Sequence, residues 1–306
     1  MRRLVRLLVT IVLFLVPLCA EASERVRILA VFSTEMSAYR EAWSGFQSHL
    51  LDKGVPVNAS KYVLKADDAT VPYSEMPGEG PDILVAFGSR AAKLAAGRAK
   101  DIPVISCGIV NPQEVSGSDR TGVSMEIPLE TKLLGIKKML GGAKRIGLLY
   151  SPETRTTYRE LSRKCDERGF SLVAREVSSN AELSTALDEI AGKIDCFVMI
   201  SDTRIYSAVS VKHLFRRSFE DGFPVVGLSS VYTRAGALFS FDCDYEELGR
   251  QAARIALRIL AGEKPGDIPV SGPRRTRLSI NLLAAERMGI HVPPWVLKEA
   301  SEVFGR

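Results

Sequence analysis

One grammar, used twice, constrains this chain more than any other feature. A short apolar run is followed by a helical pattern, and then by another apolar run. VRILAVF (26–32) leads into AYREAWSGFQSHLLDKG (38–54), an amphipathic stretch closed by Gly54. DILVAFG (82–88) precedes SRAAKLAAGRAK (89–100), IPVISCG (102–108) follows, and PLETKLLGIKKML (128–140) is helical up to Gly141 and Gly142. The pattern then restarts. RIGLLYS (145–151) leads to TYRELSRKCDERG (157–169), FSLVAREV (170–177) to AELSTALDEIAGK (181–193), DCFVMIS (195–201) to a helix near 204–218, and FPVVGLS (223–229) closes the series. Short apolar runs alternating with helices predict parallel sheets with crossover helices, an α/β fold. Two series of about 100 residues predict two lobes, each large enough for its own core.

The last part of the chain does not begin a third series. GALFSF (236–241) reads as a strand, DYEELGRQAARIALRILAGE (244–263) as a long amphipathic helix, and TRLSINLLAAERMGI (276–290) as a strand and a short helix. These complete the existing lobes. Lobe 1 is expected over 23–125 plus 231–270, and lobe 2 over 126–230 plus 271–306. The chain then crosses between lobes three times, near 122–127, 229–236 and 267–275, where Gly, Pro and Ser suit irregular connections. Between Tyr62 and Asp82 the prolines and glycines of ADDATVPYSEMPGEGP leave no helical face, so an irregular crossover is expected there.

Residues 1–22 differ in kind. Arg2, Arg3 and Arg6 precede the apolar LLVTIVLFLVPL (7–18), and AEA (20–22) supplies small residues for cleavage, which reads as a secretory signal peptide. The apolar run is shorter than a bilayer span of ~20 residues. Leu18 before Cys19 argues against a lipid anchor. Cleavage after Ala22 removes three Arg and one Glu, taking the net charge from +5 to +3. That balance implies no nucleic-acid face. Cys107, Cys165, Cys196 and Cys243 show no CxxC spacing, so no metal site is expected. An exported chain could join Cys107 to Cys243, and four buried thiols are the alternative.

In an open parallel sheet, ligands bind beyond the carboxyl ends of the strands, where backbone NH groups converge. Small polar residues gather at those ends here: Ser33 and Thr34, Gly88 and Ser89, Ser151, and then Ser201, Asp202 and Thr203. Tyr39, Tyr150 and Tyr206 lie beside them and could clasp a ligand with their rings. Ser229 and Asp244 complete the candidate set. Ser89, Thr154 and Asp202 are also natural helix N-caps, a role that alone stabilises by ~1 kcal/mol.

Four blocks resemble a known family: GSRAAKLAAGRAKDIPVISCGIVNP (88–112), RTGVSMEIPLETKLLGIKKMLGGAKRIGLLYSP (120–152), DYEELGRQAARIALRILAGEKPGDIPV (244–270) and INLLAAERMGIHVPPWVL (280–297). They are similar to the ABC transporter substrate-binding proteins that include tryptophan- and tyrosine-type solute binders. The resemblance covers about 82–304 and implies a type I periplasmic-binding-protein fold, with two Rossmann-like lobes joined by a three-crossing hinge and a small solute between them. Carried over by position, the family's GT-A-A turn falls on Gly88, Ser89, Ala91 and Ala92. Its Asp-Asn pair falls on Asp202 and Thr203, and its Asp-Tyr on Asp244 and Tyr245.

The expected function is therefore an exported, monomeric receptor that closes on a small polar, amino-acid-like solute and delivers it to an ABC permease. Ser89 would hold a carboxylate and Asp202 an ammonium group. The alternative partner is a membrane signalling protein, with the same fold acting as a sensor. No cofactor and no catalytic residue is expected, since GxSxG, HExxH, GxGxxG and GxxxxGK[ST] are all absent.

Overall fold

The structure is a computed structural model that describes residues 25–65, 80–98, 102–110 and 117–305. The signal segment 1–22 lies outside the described residues, as does most of the irregular crossover. Among the described residues, no helix is long and apolar enough to cross a membrane.

Two sheets organise the chain. The first has five parallel strands in the order β2-β1-β3-β4-β5. They are β1 (Val26–Phe32), β2 (Val57–Val63), β3 (Ile83–Phe87), β4 (Val104–Ile109) and β5 (Arg120–Ser124). Every residue of β3 and β4 is buried, as central strands covered on both faces require. β2 is an edge strand whose residues are only partly covered. Its sequence, VNASKYV, carries too few large apolar residues to announce it. Helix α1 (Ser37–Asp52) joins β1 to β2, and α2 (Ser89–Arg98) joins β3 to β4.

After β5 the chain passes into the second body through α3 (Leu129–Met139). There β6 (Arg145–Tyr150), α4 (Arg155–Arg168), β7 (Ser171–Glu176), α5 (Leu183–Ile190), β8 (Cys196–Val198), α6 (Ala208–Asp221), β9 (Val225–Val226), α7 (Ser230–Ala235) and β10 (Phe239–Cys243) follow in turn. Helix α8 (Tyr245–Leu260) comes next, then β11 (Thr276–Asn281), α9 (Leu282–Arg287), α10 (Pro294–Glu299) and β12 (Ala300–Phe304). The second sheet runs β12-β11-β10-β9-β8-β6-β7. β10 joins it parallel to β9, and β11 is antiparallel to β10.

That sheet corrects one lobe boundary. Residues 231–243 were expected in lobe 1, yet Phe239 pairs with Val226, and Phe239–Cys243 pair with Thr276–Ile280 of the second sheet. The middle crossing therefore falls at Cys243–Asp244 rather than at 229–236. The helix that follows does return: Leu248, Ala252, Ala253 and Ala256 of α8 bury in the same core as Trp43, Phe46 and Phe87. Its contact with α1 is close enough that a Cβ on Gly249 would stand 1.7 Å from the Ala42 carbonyl oxygen, and one on Gly45 2.0 Å from that of Glu246. Glycine at both crossing points lets the two backbones touch.

The three passages run side by side. Ser124 N donates to the Ser271 carbonyl at 2.8 Å, Ser271 N donates to Gly122 at 3.3 Å, and the Cys243 thiol donates to the Met125 carbonyl at 3.0 Å.

Candidate functional site

The carboxyl edge of the first sheet is knitted by hydroxyls. Phe32 and Phe87 stack at 4.8 Å across the β1 and β3 tips, and Ser33 N donates to the Phe87 carbonyl at 2.9 Å. Ser33 Oγ accepts from Ala91 N at 2.9 Å, so β1 caps the first turn of α2 from outside it. Ser89 Oγ accepts from Val110 N at 3.2 Å. Gly88 has φ +89°, and a Cβ there would meet the Tyr39 hydroxyl at 2.3 Å and Ser33 Oγ at 2.6 Å. Ser33, Tyr39, Gly88 and Ser89 are thus brought together. Burial raises the Tyr39 hydroxyl above its ordinary range, with Cys107 adding to the effect. Thr34 is exposed beside them.

The second sheet uses a carboxylate instead. Asp202 is 6% exposed; its Oδ2 accepts from Ser151 N at 3.1 Å and Thr154 Oγ1 at 2.6 Å, and its Oδ1 from Arg204 N at 3.0 Å. Ser151 is buried and forms a capping box with Thr154. The carboxylate that was expected to pair with a ligand's ammonium group thus holds the β6 and β8 tips together. Thr203, next to it, is exposed.

Tyr150 and Tyr206 of this lobe are held by its own packing. Tyr150 stacks on Tyr158 at 4.2 Å, with its hydroxyl bonded to Glu176. Tyr206 packs in the core around α5 and α6, and its buried hydroxyl has no hydrogen-bond partner. Asp244 caps α8, accepting from Glu247 N at 3.2 Å and from Arg277 at 3.0 Å. These three were expected to contact ligand, and their side chains are committed elsewhere by packing or by internal hydrogen bonds.

Ser229, at the β9 tip, lines two cavities that meet at the hinge. The larger, about 460 Å³, lies between the start of α1 (Met36, Ser37, Glu41), Tyr245 of α8, and Asp242, Arg277 and Glu302 of the second sheet. Burial pushes the Asp242 carboxyl up, partly offset by the hydrogen bond from Ser230 N. The smaller, about 220 Å³, has Val110 of the first lobe on one side and Ile200, Ser201, Leu228 and Ser229 of the second on the other. The first passage, Met125–Ile127, and Leu129 and Lys132 of α3 complete its lining. The two cavities share Met125, Ile127, Leu228 and Ser229.

Lys132 is the unexpected residue of this site. Only 6% exposed, it donates to the Met199 carbonyl at 2.8 Å, and burial lowers its pKa to about 8, with Glu126 pulling the other way. Glu126 opens onto the cleft, yet protein crowded around its carboxyl raises its pKa, which Lys132 in turn opposes. A sequence signal for Lys132 did exist: it sits on the α3 face that carries Leu129, Leu133 and Ile136, a stripe that should be wholly apolar.

Cys107, Cys165, Cys196 and Cys243 are buried and free, with Cys165 raised to about 12 by burial. Among the described residues, no group of three or more His, Cys, Asp or Glu could hold a metal ion.

Two mostly parallel sheets, three passages between them and cavities walled from both sides define a two-lobe solute-binding protein. Residues 26–304 match the family described as ABC transporter substrate binding protein, and the chain belongs to that family. The family is one of binding proteins rather than enzymes. The chain is 26% identical over 219 residues to a tyrosine-binding protein of Clostridioides difficile, a match spanning 68% of this chain and 63% of that protein. Among solved structures, an ABC domain in complex with L-Trp from Streptococcus pneumonia is 25% identical, with TM-score 0.62, over 90% of this chain and 100% of that one. The ligand-free, open structure of a substrate binding protein with adhesive properties from Clostridium difficile shares the fold, with TM-score 0.73 at 21% identity over 92% of this chain and 99% of that chain. Together with a periplasmic ribose ABC transporter of Conexibacter woesei, 16% identical with TM-score 0.56 over 91% of this chain and 98% of that one, these neighbours place the fold in the type I periplasmic binding class.

Proposed function

We propose that this protein is an exported receptor that closes its lobes on a small polar, amino-acid-like solute and hands it to an ABC permease. The observation that carries the reading is the pair of cavities at the hinge, each walled by residues of both lobes, with the interlobe passage Met125–Ile127 in their lining. A solute that touches both walls favours the closed form, and hinge closure needs no catalytic group. The family and its tryptophan- and tyrosine-binding relatives support an amino-acid-like solute. A thermal-shift panel of amino acids and small sugars tests it. Stabilisation by one or more amino acids is expected; a response to sugars alone would remove the amino-acid reading. Loss of uptake of the stabilising solute in a strain lacking this gene tests delivery to a permease.

A further inference from the structure

Resting on the reading that the cleft holds a solute, we propose that Lys132 and Glu126 are its two charged anchors. Lys132 takes a carboxylate and Glu126 an ammonium group, so the preferred solute is a free α-amino acid with an apolar side chain.

The smaller cavity carries the argument. Its lining is otherwise apolar or hydroxylic: Val110, Ile127, Ile200 and Leu228 with Ser201 and Ser229. Into that lining the chain places one ammonium and one carboxylate. An ammonium has three donors, and Lys132 uses one of them, on Met199 O, among the described residues. Burying a cation with one hydrogen bond and the Glu126 charge to offset it is costly, and removing a buried charge in favour of an apolar residue is often neutral or stabilising. A lysine needed only for structure would therefore be better replaced by leucine or methionine. An arriving carboxylate supplies the missing acceptors.

Glu126 lies in the passage between the lobes and is open to the cleft, so its carboxylate is reachable by an ammonium group on the same solute. One charge of each sign selects a zwitterion over a sugar, a dicarboxylate or a polyamine. The apolar walls select the side chain. At about 220 Å³ the cavity falls below the ~300–1,000 Å³ of drug-sized pockets, in keeping with a solute of few atoms.

Isothermal titration of the signal-less chain with L-leucine, L-tyrosine and L-tryptophan, each alongside its amide and its deaminated acid, tests the assignment. At least one free amino acid should bind, with both of its analogues about 30-fold or more weaker, as expected for leaving a desolvated charge unpaired. In Lys132→Met the acid should fall to the level of the amide while the amide is unchanged. In Glu126→Gln the gap between the amino acid and its deaminated form should close.

If Lys132→Met weakens acid and amide alike, Lys132 only props the β8 tip, and the proposal is overturned while the receptor reading stands. Discrimination that survives both substitutions overturns it equally. If none of the three amino acids binds the wild type, the amino-acid reading of the cleft itself falls. Should Lys132→Met fail to fold, the wild-type analogues and Glu126→Gln decide the matter.

Discussion

At the amino edge of the first sheet, Arg27 of β1 bonds Asp82 through its backbone N–H at 2.8 Å and its guanidinium at 2.8 Å. At the amino edge of the second, Arg145 of β6 bonds Asp195 in the same way, at 2.8 and 2.7 Å. The two lobes repeat one device there, an arginine opening one strand and an aspartate just before its neighbour. At the carboxyl edges they part. The first lobe ties its tips with the neutral hydroxyls of Ser33 and Ser89, the second with the buried carboxylate of Asp202. Polar residues at strand tips thus first serve the chain's own backbone donors, which would be costly to bury unmet. The charged groups that line the smaller cavity come instead from the hinge passage and the helix after it.

The sharpest way to break this comparison is to remove the two ties in parallel. Asp202→Ala loses three hydrogen bonds to a carboxylate, leaving Ser151 N with Thr154 Oγ1 as its acceptor at 3.0 Å, and should destabilise by about 3 kcal/mol in urea denaturation. Ser33→Ala, losing one neutral bond, should cost about 1 kcal/mol. Equal losses would mean that the two edges are not built differently. Next in size is Gly88→Ala, with an expected cost of about 2 kcal/mol from the positive φ and the Cβ contacts. Adding Tyr39→Phe should recover only part of it, because the ring carbon Cζ also stands 2.7 Å from that Cβ.

The smallest effect tests the shared amino edge. Hydrogen bonding to Arg145 holds Asp195 at about 2, below its ordinary 3.8. Its contribution is therefore fully present above pH 3.8 and lost as pH falls through about 2. Asp195→Asn should melt below wild type at pH 7, with the gap closing towards pH 2. Asp82→Asn should behave in the same sense, since Arg27 lowers that carboxyl too.

Much of this molecule is legible without coordinates. The doubled strand–helix grammar rests on side-chain periodicity, a local property, and it located β1, β3, β4 and β6 through β9 together with the helices between them. Polar residues at the tips were visible for the same reason. Whether such a residue meets a ligand or a neighbouring backbone N–H was not visible, because Asp202 and Ser151 lie 51 positions apart and only the sheet brings them together.

The sequence by itself determined two α/β bodies, the hinge passages near 125 and 271, and where the polar tips lie. Tertiary structure alone decided that β10 pairs in the second sheet, that Asp202 holds the strand tips together, and that the charge of Lys132 meets the cleft. The physical reason is common to all three. Partner choice in a sheet and the fate of a buried charge depend on which distant segments exclude water from them, and sequence spacing carries no record of that.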